Sequence, residues 1–282
     1  MDTGRPAGRG GKPGTGPSVG AEADHRSPPP AVVVHEAVRA DGEADLRRPV
    51  ASLASSGLAA GLAMGFSFFV PGLIRAHVPD VPWRPLLAAL GYPVGFLLVI
   101  LGRQQLFTQN TLTVVLPLLG RRDAATLGRV ARVWGVVLAA NLVGALAVAS
   151  VAGQTTAFGP AVRGAFAEIG REAAAPGFGT TLLRAVFAGW LIALLVWLLP
   201  SAETARVWVI FVVAYVVALA GFPQIVTAAV AAFYLTTTGG AGWGMVLAGV
   251  LLPTLVGNVG GGVLLVAALN HAQVVAGRGH AR

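Results

Sequence analysis

Two short clusters of polar and helix-breaking residues interrupt the long apolar stretches of this sequence. The first is residues 102–110, which include one arginine, three glutamines and one threonine. The second is residues 221–224, with the sequence Gly-Phe-Pro-Gln. Proline removes a backbone amide and clashes with the preceding helical turn, and glycine lowers helix propensity. Both clusters are therefore predicted to break the helices that contain them.

A helix that restarts after such a break could bind an anion at its N-terminus. The first backbone amides of a helix have no partner inside it, and they carry the positive end of the helix dipole. We expect restarts near residues 108–110 and 224–227, where Thr108, Asn110 and Thr227 are suitable N-cap residues. Two such ends that converge would form an anion site without a formal charge. The alternative is that both breaks are kinks that only shape packing.

The sequence around the clusters is that of an integral membrane protein. Of its 282 residues, 55% are hydrophobic and only 11% are charged, whereas a soluble protein carries about 25% charged residues. The apolar runs are long enough to cross a bilayer as helices, and they lack the alternation of barrel strands. The net charge of +8 does not indicate a nucleic-acid partner, because acidic residues are interspersed and the arginines flank apolar segments.

An all-α membrane protein with six membrane-spanning helices is predicted. The predicted spans are residues 49–74, 83–120, 127–152, 180–200, 205–238 and 243–268. The second and the fifth are too long for one straight crossing, and each contains one of the two polar clusters. Breaks in the middle helix of each three-helix half indicate a transport site built on an inverted 3+3 repeat. The third and sixth helices share the pattern Asn-x-x-Gly, which begins at Asn141 and at Asn258.

The segments outside the spans set the predicted topology. Residues 1–48 are rich in glycine, proline, alanine and arginine, and we predict a disordered, basic cytoplasmic tail that contacts membrane lipid weakly. Residues 49–275 form the predicted transmembrane domain, and residues 276–282 form a short C-terminus. Most arginines flank the spans on one side, so both termini are predicted to be cytoplasmic, in the plasma (inner) membrane. Residues 154–179 are then an extended external loop.

Two arginines within or beside the predicted spans could carry function. Arg184 lies at the external start of the fourth span, where it could draw anions toward an entrance or simply snorkel to the interface. Arg103 lies inside the first cluster and is expected to brace the broken segment by donating to free carbonyls. The chain has no cysteine, no cluster with metal-ligand spacing and no catalytic constellation. We therefore expect no metal, no cofactor and no enzymatic activity.

Several segments, taken in order, resemble motifs of the formate/nitrite transporter family. Residues 102–108 resemble the broken loop of that family's second helix, and residues 220–224 resemble its second broken loop. Residues 253–262 resemble its sixth-helix signature. Residues 269–274, which follow, look like those of a divergent branch of the family. The resemblance covers about residues 49–275. It implies an aquaporin-like protomer with its own pore, a homopentamer, and passage of small monovalent anions such as formate or nitrite.

The resemblance also implies roles for individual residues. In the family, a leucine and a phenylalanine of the first loop form an apolar constriction, here matched by Leu106 and Phe107. The loop threonine, here Thr108, faces a central histidine, and a fourth-helix lysine near the external vestibule corresponds to Arg184. The predicted substrate pathway residues are Leu106, Phe107, Thr108, Phe222, Gln224, Thr227, Arg184, Asn141 and Asn258.

The sequence departs from the family pattern at the centre of the predicted pathway. Gln224 stands where the family has the central histidine, and Ala228 stands where many relatives have asparagine. Histidine titrates near neutral pH, whereas glutamine only donates and accepts hydrogen bonds. Two alternatives therefore remain: a neutral small-solute pore of the same fold, and a non-transporting membrane scaffold or sensor. The paired Asn-Pro-Ala boxes of a true aquaporin are absent.

Overall fold

The computed structural model describes Met1 and residues 29–279, and the regular structure in these residues is helical. The helices before residue 155 are α1 (Ala31–Arg47), α2 (Val50–Met64), α3 (Phe66–His77), α4 (Arg84–Ala89), α5 (Pro93–Leu101), α6 (Phe107–Thr113), α7 (Val115–Arg121) and α8 (Ala124–Gln154). The later helices are α9 (Pro160–Ala174), α10 (Phe178–Ala202), α11 (Arg206–Leu219), α12 (Ile225–Thr237), α13 (Trp243–Met245), α14 (Leu252–Gly260) and α15 (Leu269–Gly279). The wider π-helical turns Val246–Leu251 and Gly261–Ala268 join α13, α14 and α15.

Five helical stretches of the described residues are long and apolar enough to cross a membrane. They are Val50–His77, Arg84–Leu101, Ala124–Gln154, Phe178–Leu219 and Trp243–Ala276. Helix α12 is apolar but shorter. The fourth stretch joins the predicted fourth span to the first part of the predicted fifth, because only the short turn Glu203–Ala205 separates α10 from α11. Helix α12 supplies the rest of the predicted fifth span.

Glycines let two pairs of membrane helices approach to backbone contact. Helix α2 packs against α8, where a Cβ atom at Gly61 would overlap the backbone oxygen of Asn141. Helix α10 packs against α14 in the same way, and a Cβ atom at Gly189 would overlap the backbone oxygen of Asn258. Small residues favour such close van der Waals packing in lipid, where the hydrophobic effect does not drive helices together. The close packing brings both asparagines beside the ends of neighbouring helices.

Residues 31–47 of the predicted disordered tail, which was given as residues 1–48, instead form helix α1. Its buried residues include Val34, Val38 and Leu46, and the Arg132 guanidinium donates to the Leu46 carbonyl at 2.7 Å. The averaged composition hid this helix, because its buried face also carries His35, Gly42 and Glu43. Its packing partners in α6, α7, α8, α10 and α15 are remote in sequence. Residues 2–28 of the predicted tail and residues 280–282 of the predicted C-terminus lie outside the described part of the chain.

Helix α9 occupies the region that was predicted to be an extended loop. Its Phe166 is buried and stacks on Phe68, with ring centroids 4.7 Å apart. Arg75 and Arg84 both reach Glu168, at 3.3 and 3.0 Å. The 28-residue stretch Val50–His77 begins directly after α1 and ends with Arg75 against α9, so α1 and α9 lie at opposite ends of the bundle. We call these the α1 end and the α9 end.

Candidate functional site

The two polar clusters form breaks that share one backbone pattern. The first break is residues 102–106, between α5 and α6, and the second is residues 220–224, between α11 and α12. The turn residue of each is left-handed, with φ of 51° at Arg103 and 63° at Gly221. Each turn residue donates to the carbonyl three residues earlier, at 3.2 and 3.0 Å, and each following amide donates to the carbonyl five residues earlier, at 3.0 Å in both. Arg103 and Gly221 therefore occupy corresponding positions.

Asn141 of α8 holds the first break with three hydrogen bonds from a fully buried side chain. Its Oδ1 accepts from the Phe107 amide at 2.9 Å. Its Nδ2 donates to the carbonyls of Gln105 and Gly57, at 3.0 and 2.7 Å. The Phe107 amide is one of the N-terminal donors that a helix cannot satisfy by itself. Asn141 thus fixes the start of α6 against α2.

Asn258 of α14 makes the corresponding three hydrogen bonds at the second break. Its Oδ1 accepts from the Ile225 amide at 2.8 Å, and its Nδ2 donates to the carbonyls of Pro223 and Ala185, at 3.0 and 2.9 Å. Both asparagines were predicted as pathway residues, and the structure places both behind the breaks as clamps. Their bonds satisfy backbone groups that would otherwise be costly to bury in a membrane.

The two helix restarts differ at the N-cap residue. Leu106 precedes α6 and makes no side-chain cap hydrogen bond. Gln224 precedes α12 and caps it, because its Oε1 accepts from the amides of Val226 and Thr227, each at 2.9 Å. Glutamine here does the capping that serine, threonine, aspartate and asparagine usually do. The expected N-caps Thr108, Asn110 and Thr227 lie within the first turns of their helices instead.

A hydrogen bond between Gln224 and Thr108 joins the two restarts, and we call it the bridge. Gln224 Nε2 donates to Thr108 Oγ1 at 3.0 Å, and both side chains are fully buried. The N-terminus of α6, which continues into α7, and the N-terminus of α12 therefore meet at this bond. Each N-terminus carries the positive end of its helix dipole.

A cavity of about 350 Å³ opens near the α9 end and reaches the first turn of α12. Three predicted pathway residues line it, namely Phe222, Thr227 and Arg184. Tyr92, which no sequence motif indicated, lines it too, and the Tyr92 and Thr227 hydroxyl oxygens lie 2.7 Å apart. Thr227 Oγ1 also donates to the backbone carbonyl of Gln224 at 3.0 Å. A chain of hydrogen-bonding groups therefore connects the cavity wall to the bridge.

The predicted apolar constriction is buried beside the bridge. Leu106 and Phe107 are 0% and 2% exposed, and the Phe107 ring meets Trp134 edge-on, with centroids 5.8 Å apart. The wall of the cavity includes neither of these residues, nor Thr108 or Gln224. The cavity therefore stops short of the bridge.

Arg184 is the exposed cation of the cavity wall. Arg75 also lines the cavity, but the carboxylates of Glu168 and Glu172 bind it at 3.3 and 2.8 Å. We find no ion pair for Arg184 within the described part of the chain. Its charge is therefore not neutralised by contact, and it makes the potential at the cavity mouth more positive.

The first break contacts α1 at the opposite end of the bundle. Gln105 Nε2 donates to Asp45 Oδ1 at 2.7 Å, the Gln105 amide donates to Ser56 Oγ at 3.0 Å, and Gln105 Oε1 accepts from Asn110 at 3.0 Å. Burial raises the pKa of the Asp45 carboxyl, although the charge of Arg48 and the hydrogen bond from Gln105 oppose that rise. No sequence signal pointed to this contact, because Asp45 fell in the predicted tail.

Arg103 does not brace the first break as expected. Its side chain is exposed and makes no hydrogen bond to any residue that the structure describes. Among those residues there is also no group of three or more histidine, cysteine or acidic side chains that could hold a metal ion. The arrangement offers hydrogen-bond donors, helix N-termini and arginines.

Comparison with known proteins places these features in a family. The family model for formate/nitrite transporters matches residues 32–272. The Escherichia coli inner membrane protein YfdC is 38% identical over 251 residues, which are 89% of this chain and 81% of that protein. Among solved structures, an FNT family ion channel has a TM-score of 0.74 at 17% identity and covers 86% of this chain and 98% of its own. A pentameric formate channel with formate bound has a TM-score of 0.67 at 19% identity and covers 80% and 98%.

Proposed function

This chain belongs to the formate/nitrite transporter family, and we propose that it is a channel or transporter for small monovalent anions such as formate or nitrite. We propose that the anion passes through a pore in each protomer of a homopentamer. The structural relative described as a pentameric formate channel with formate bound supports both the anion class and the assembly. The Escherichia coli relative described as an inner membrane protein supports a location in the plasma membrane.

In the proposed topology the chain crosses the membrane six times, with both termini in the cytoplasm. Helices α4 to α7 form the second crossing, and α11 with α12 forms the fifth. The shared hydrogen bonds of the two breaks and their asparagine clamps support an inverted repeat with an aquaporin-like protomer. A single cysteine at Ala161→Cys in α9 should react with an impermeant thiol reagent from outside the cell. Reaction only from the cytoplasm would contradict this topology.

A cationic cavity that leads to a helix N-terminus is the observation that carries the proposal. Arg184 and Thr227 line the same cavity, and beyond Thr227 the bridge connects to the first turn of α6. An anion that enters would meet a positive potential first and the positive ends of two helices next. No formal charge lies at the bridge, so binding there would be weak enough for the anion to leave.

The remaining pathway residues shape and narrow this route in the proposal. Tyr92 and Thr227 offer hydroxyl donors that can replace part of the hydration shell of the anion. Leu106 and Phe107 form an apolar plug beyond them, which excludes hydrated ions. Passage requires the bridge to open, so that Gln224 Nε2 donates to the permeant in place of Thr108.

One observation favours a neutral small solute as the second candidate. The amides of Ile225, Val226 and Thr227 already donate to the side chains of Asn258 and Gln224, so the start of α12 has fewer free donors for an anion. A permeant that both donates and accepts hydrogen bonds, such as urea or glycerol, would match the amide and hydroxyls of this region.

Flux into liposomes containing the purified protein separates these functions. We expect formate and nitrite to enter faster than in protein-free liposomes, with urea and glycerol unchanged. The reverse pattern would replace the anion function with the neutral-solute function. No flux of any of these compounds would indicate the scaffold or sensor alternative.

A substitution at the constriction tests the route itself. Phe107→Ala should raise leak and blur the selectivity between formate and larger anions such as lactate, because it removes the apolar plug. Phe178→Ala removes the same ring from an exposed position at the start of α10 and serves as the matched control. Unchanged flux and selectivity in correctly folded Phe107→Ala protein would mean that the pore does not pass there.

A further inference from the structure

The left-handed turn of the first break holds an arginine where the corresponding turn holds a glycine. Arg103 has φ 51° and Gly221 has φ 63°, and both make the same two types of turn hydrogen bond. Glycine adopts this conformation freely, whereas a residue with a Cβ atom is strained in it. An observed outlier of this kind at a candidate site is a reason to look for a function of its side chain.

Arg103 lies toward the α1 end of the molecule. Two residues later, Gln105 bonds to Asp45 in α1 at 2.7 Å and to Ser56 near the start of α2 at 3.0 Å. The second break faces the opposite way, because Gly221 lines the cavity near the α9 end together with Arg75. The two breaks therefore face opposite ends of the bundle. The second break forms part of the cavity wall near the α9 end, and the first break takes the corresponding position toward the α1 end.

The charge of Arg103 is not neutralised by contact. Its side chain is exposed, and it forms no ion pair with a residue that the structure describes. Two carboxylates of α1 are bound by other arginines: Asp45 lies 3.6 Å from Arg48, and Glu43 lies 2.7 Å from Arg121. Glu43 also binds Arg39 and Arg47 at 3.2 and 3.7 Å. Arg103 thus adds an uncompensated positive charge beside the first break.

We propose that Arg103 is the anion-attracting residue at the α1-end entrance of the pathway, as Arg184 is at the α9-end entrance. This inference rests on the proposed anion function. A guanidinium at each entrance raises the local anion concentration at both, which suits passage in either direction. In this proposal the arginine is kept for its charge, at a turn whose conformation glycine would adopt with less strain.

The absence of native cysteine makes a charge-replacement experiment direct. Arg103→Cys should lower formate current from the α1 end by roughly two- to threefold at about 10 mM salt, and hardly at all at about 1 M, because salt screens a mouth charge. A cationic, impermeant thiosulfonate reagent applied at the α1 end should restore the current, and an anionic reagent should lower it further. The same reagents applied at the α9 end should do neither.

Three further variants act as matched controls. Arg103→Lys keeps the charge and should conduct like wild type, whereas Arg103→Gly relieves the backbone and should lose the current as Arg103→Cys does. Arg184→Cys should respond to the same reagents only from the α9 end. Size-exclusion chromatography of each variant confirms that the assembly is intact.

The outcomes distinguish this inference from the proposed function. If wild type passes no formate, both fail. If wild type passes formate, and Arg103→Cys and Arg103→Gly carry the same formate current as wild type at low salt, the inference alone is overturned. It is also overturned if cationic and anionic reagents act alike, or if Arg103→Cys is labelled only from the α9 end. Loss of assembly in Arg103→Gly would assign the side chain to a lipid or protomer contact and overturn it as well.

Discussion

The two breaks of this chain have the same backbone and different side chains. Each has a left-handed turn, an asparagine clamp and a glycine contact to the helix that carries the clamp. They differ where a side chain can reach the proposed pathway: Arg103 corresponds to Gly221, and Leu106 corresponds to Gln224. The repeated parts satisfy backbone groups inside a membrane, which any chain of this shape must do. The parts that differ set charge and hydrogen bonding, which a permeant would sense.

Removing either clamp should have the largest effect on stability. Asn141→Leu leaves the Phe107 amide and the Gln105 carbonyl without a partner, and Asn258→Leu does the same to the Ile225 amide and the Pro223 carbonyl. The carbonyls of Gly57 and Ala185 keep their bonds within α2 and α10. We expect each to cost about 2–5 kcal/mol, since a buried group left unpaired costs about 1–3 kcal/mol. Thermal melting of the detergent-solubilised protein measures this, with Thr155→Val at the exposed end of α8 as the control. If one clamp tolerates leucine and the other does not, the breaks are not equivalent.

Replacing the glycines at the helix contacts should have the next largest effect on stability. A Cβ atom at Gly61 or Gly189 would overlap backbone that cannot turn aside, so we expect Gly61→Ala and Gly189→Ala each to cost about 1–3 kcal/mol. At Gly135 and Gly164 a Cβ atom meets nothing within 4 Å. Gly135→Ala and Gly164→Ala should therefore raise the melting temperature slightly, because alanine favours a helix by about 0.5–1 kcal/mol. Equal changes in melting temperature at all four positions would show that the contacts at Gly61 and Gly189 do not stabilise the two helix pairs.

Substitutions of Gln224 test the difference between the two N-caps. Gln224→Leu makes the second restart like the first, and we expect a loss of about 1–2 kcal/mol, as for other N-cap removals. Gln224→His should keep the assembly and add a titration of flux between about pH 5 and pH 8, where histidine changes charge. Gln109→His, one residue beyond Thr108, is the control and should add none. A steep titration already present in wild type, which the substrate's own protonation does not explain, would contradict this role.

Substitutions at the two left-handed turns should have the smallest effect on stability. Gly221→Ala should cost about 1 kcal/mol, because the space around it is open and only the conformation resists a side chain. Arg103→Gly should gain at most about 1 kcal/mol, since relief of strain is offset by the freedom of glycine in the unfolded chain. Melting temperatures of the two variants should thus move in opposite directions. A stable Gly221→Ala protein would show that the second turn does not need glycine.

Much of the architecture could be predicted from local sequence. Continuous apolar runs predicted membrane helices, and the family follows from segments such as residues 102–108 and 253–262. Phe222, Thr227 and Arg184 were predicted as pathway residues, and all three line the cavity. Their role in transport stays a prediction. The pattern Asn-x-x-Gly drew attention to Asn141 and Asn258, but it could not distinguish a pathway residue from a clamp.

Other parts of the site had no local signal. Helix α1 buries Gly42 and Glu43 along with its apolar residues, and its partners come from helices far along the chain. Tyr92 is one aromatic residue in an apolar run, and its hydroxyl has meaning only because Thr227 lies 2.7 Å away. Asp45 gains its role from Gln105, sixty residues later in the chain. Each of these contacts depends on helix packing, which composition and periodicity do not specify.

The amino-acid sequence is enough to identify a helical membrane protein of the formate/nitrite transporter family, because apolar runs and the order of motifs do not depend on which helices pack together. The packing of the helices sets which polar groups satisfy the backbone and which remain available to a permeant. That division depends on distances between helices remote in sequence, such as the 3.0 Å between Gln224 and Thr108. In lipid no water can satisfy a misplaced donor, so these contacts are strict, and they exist only once the helices are packed.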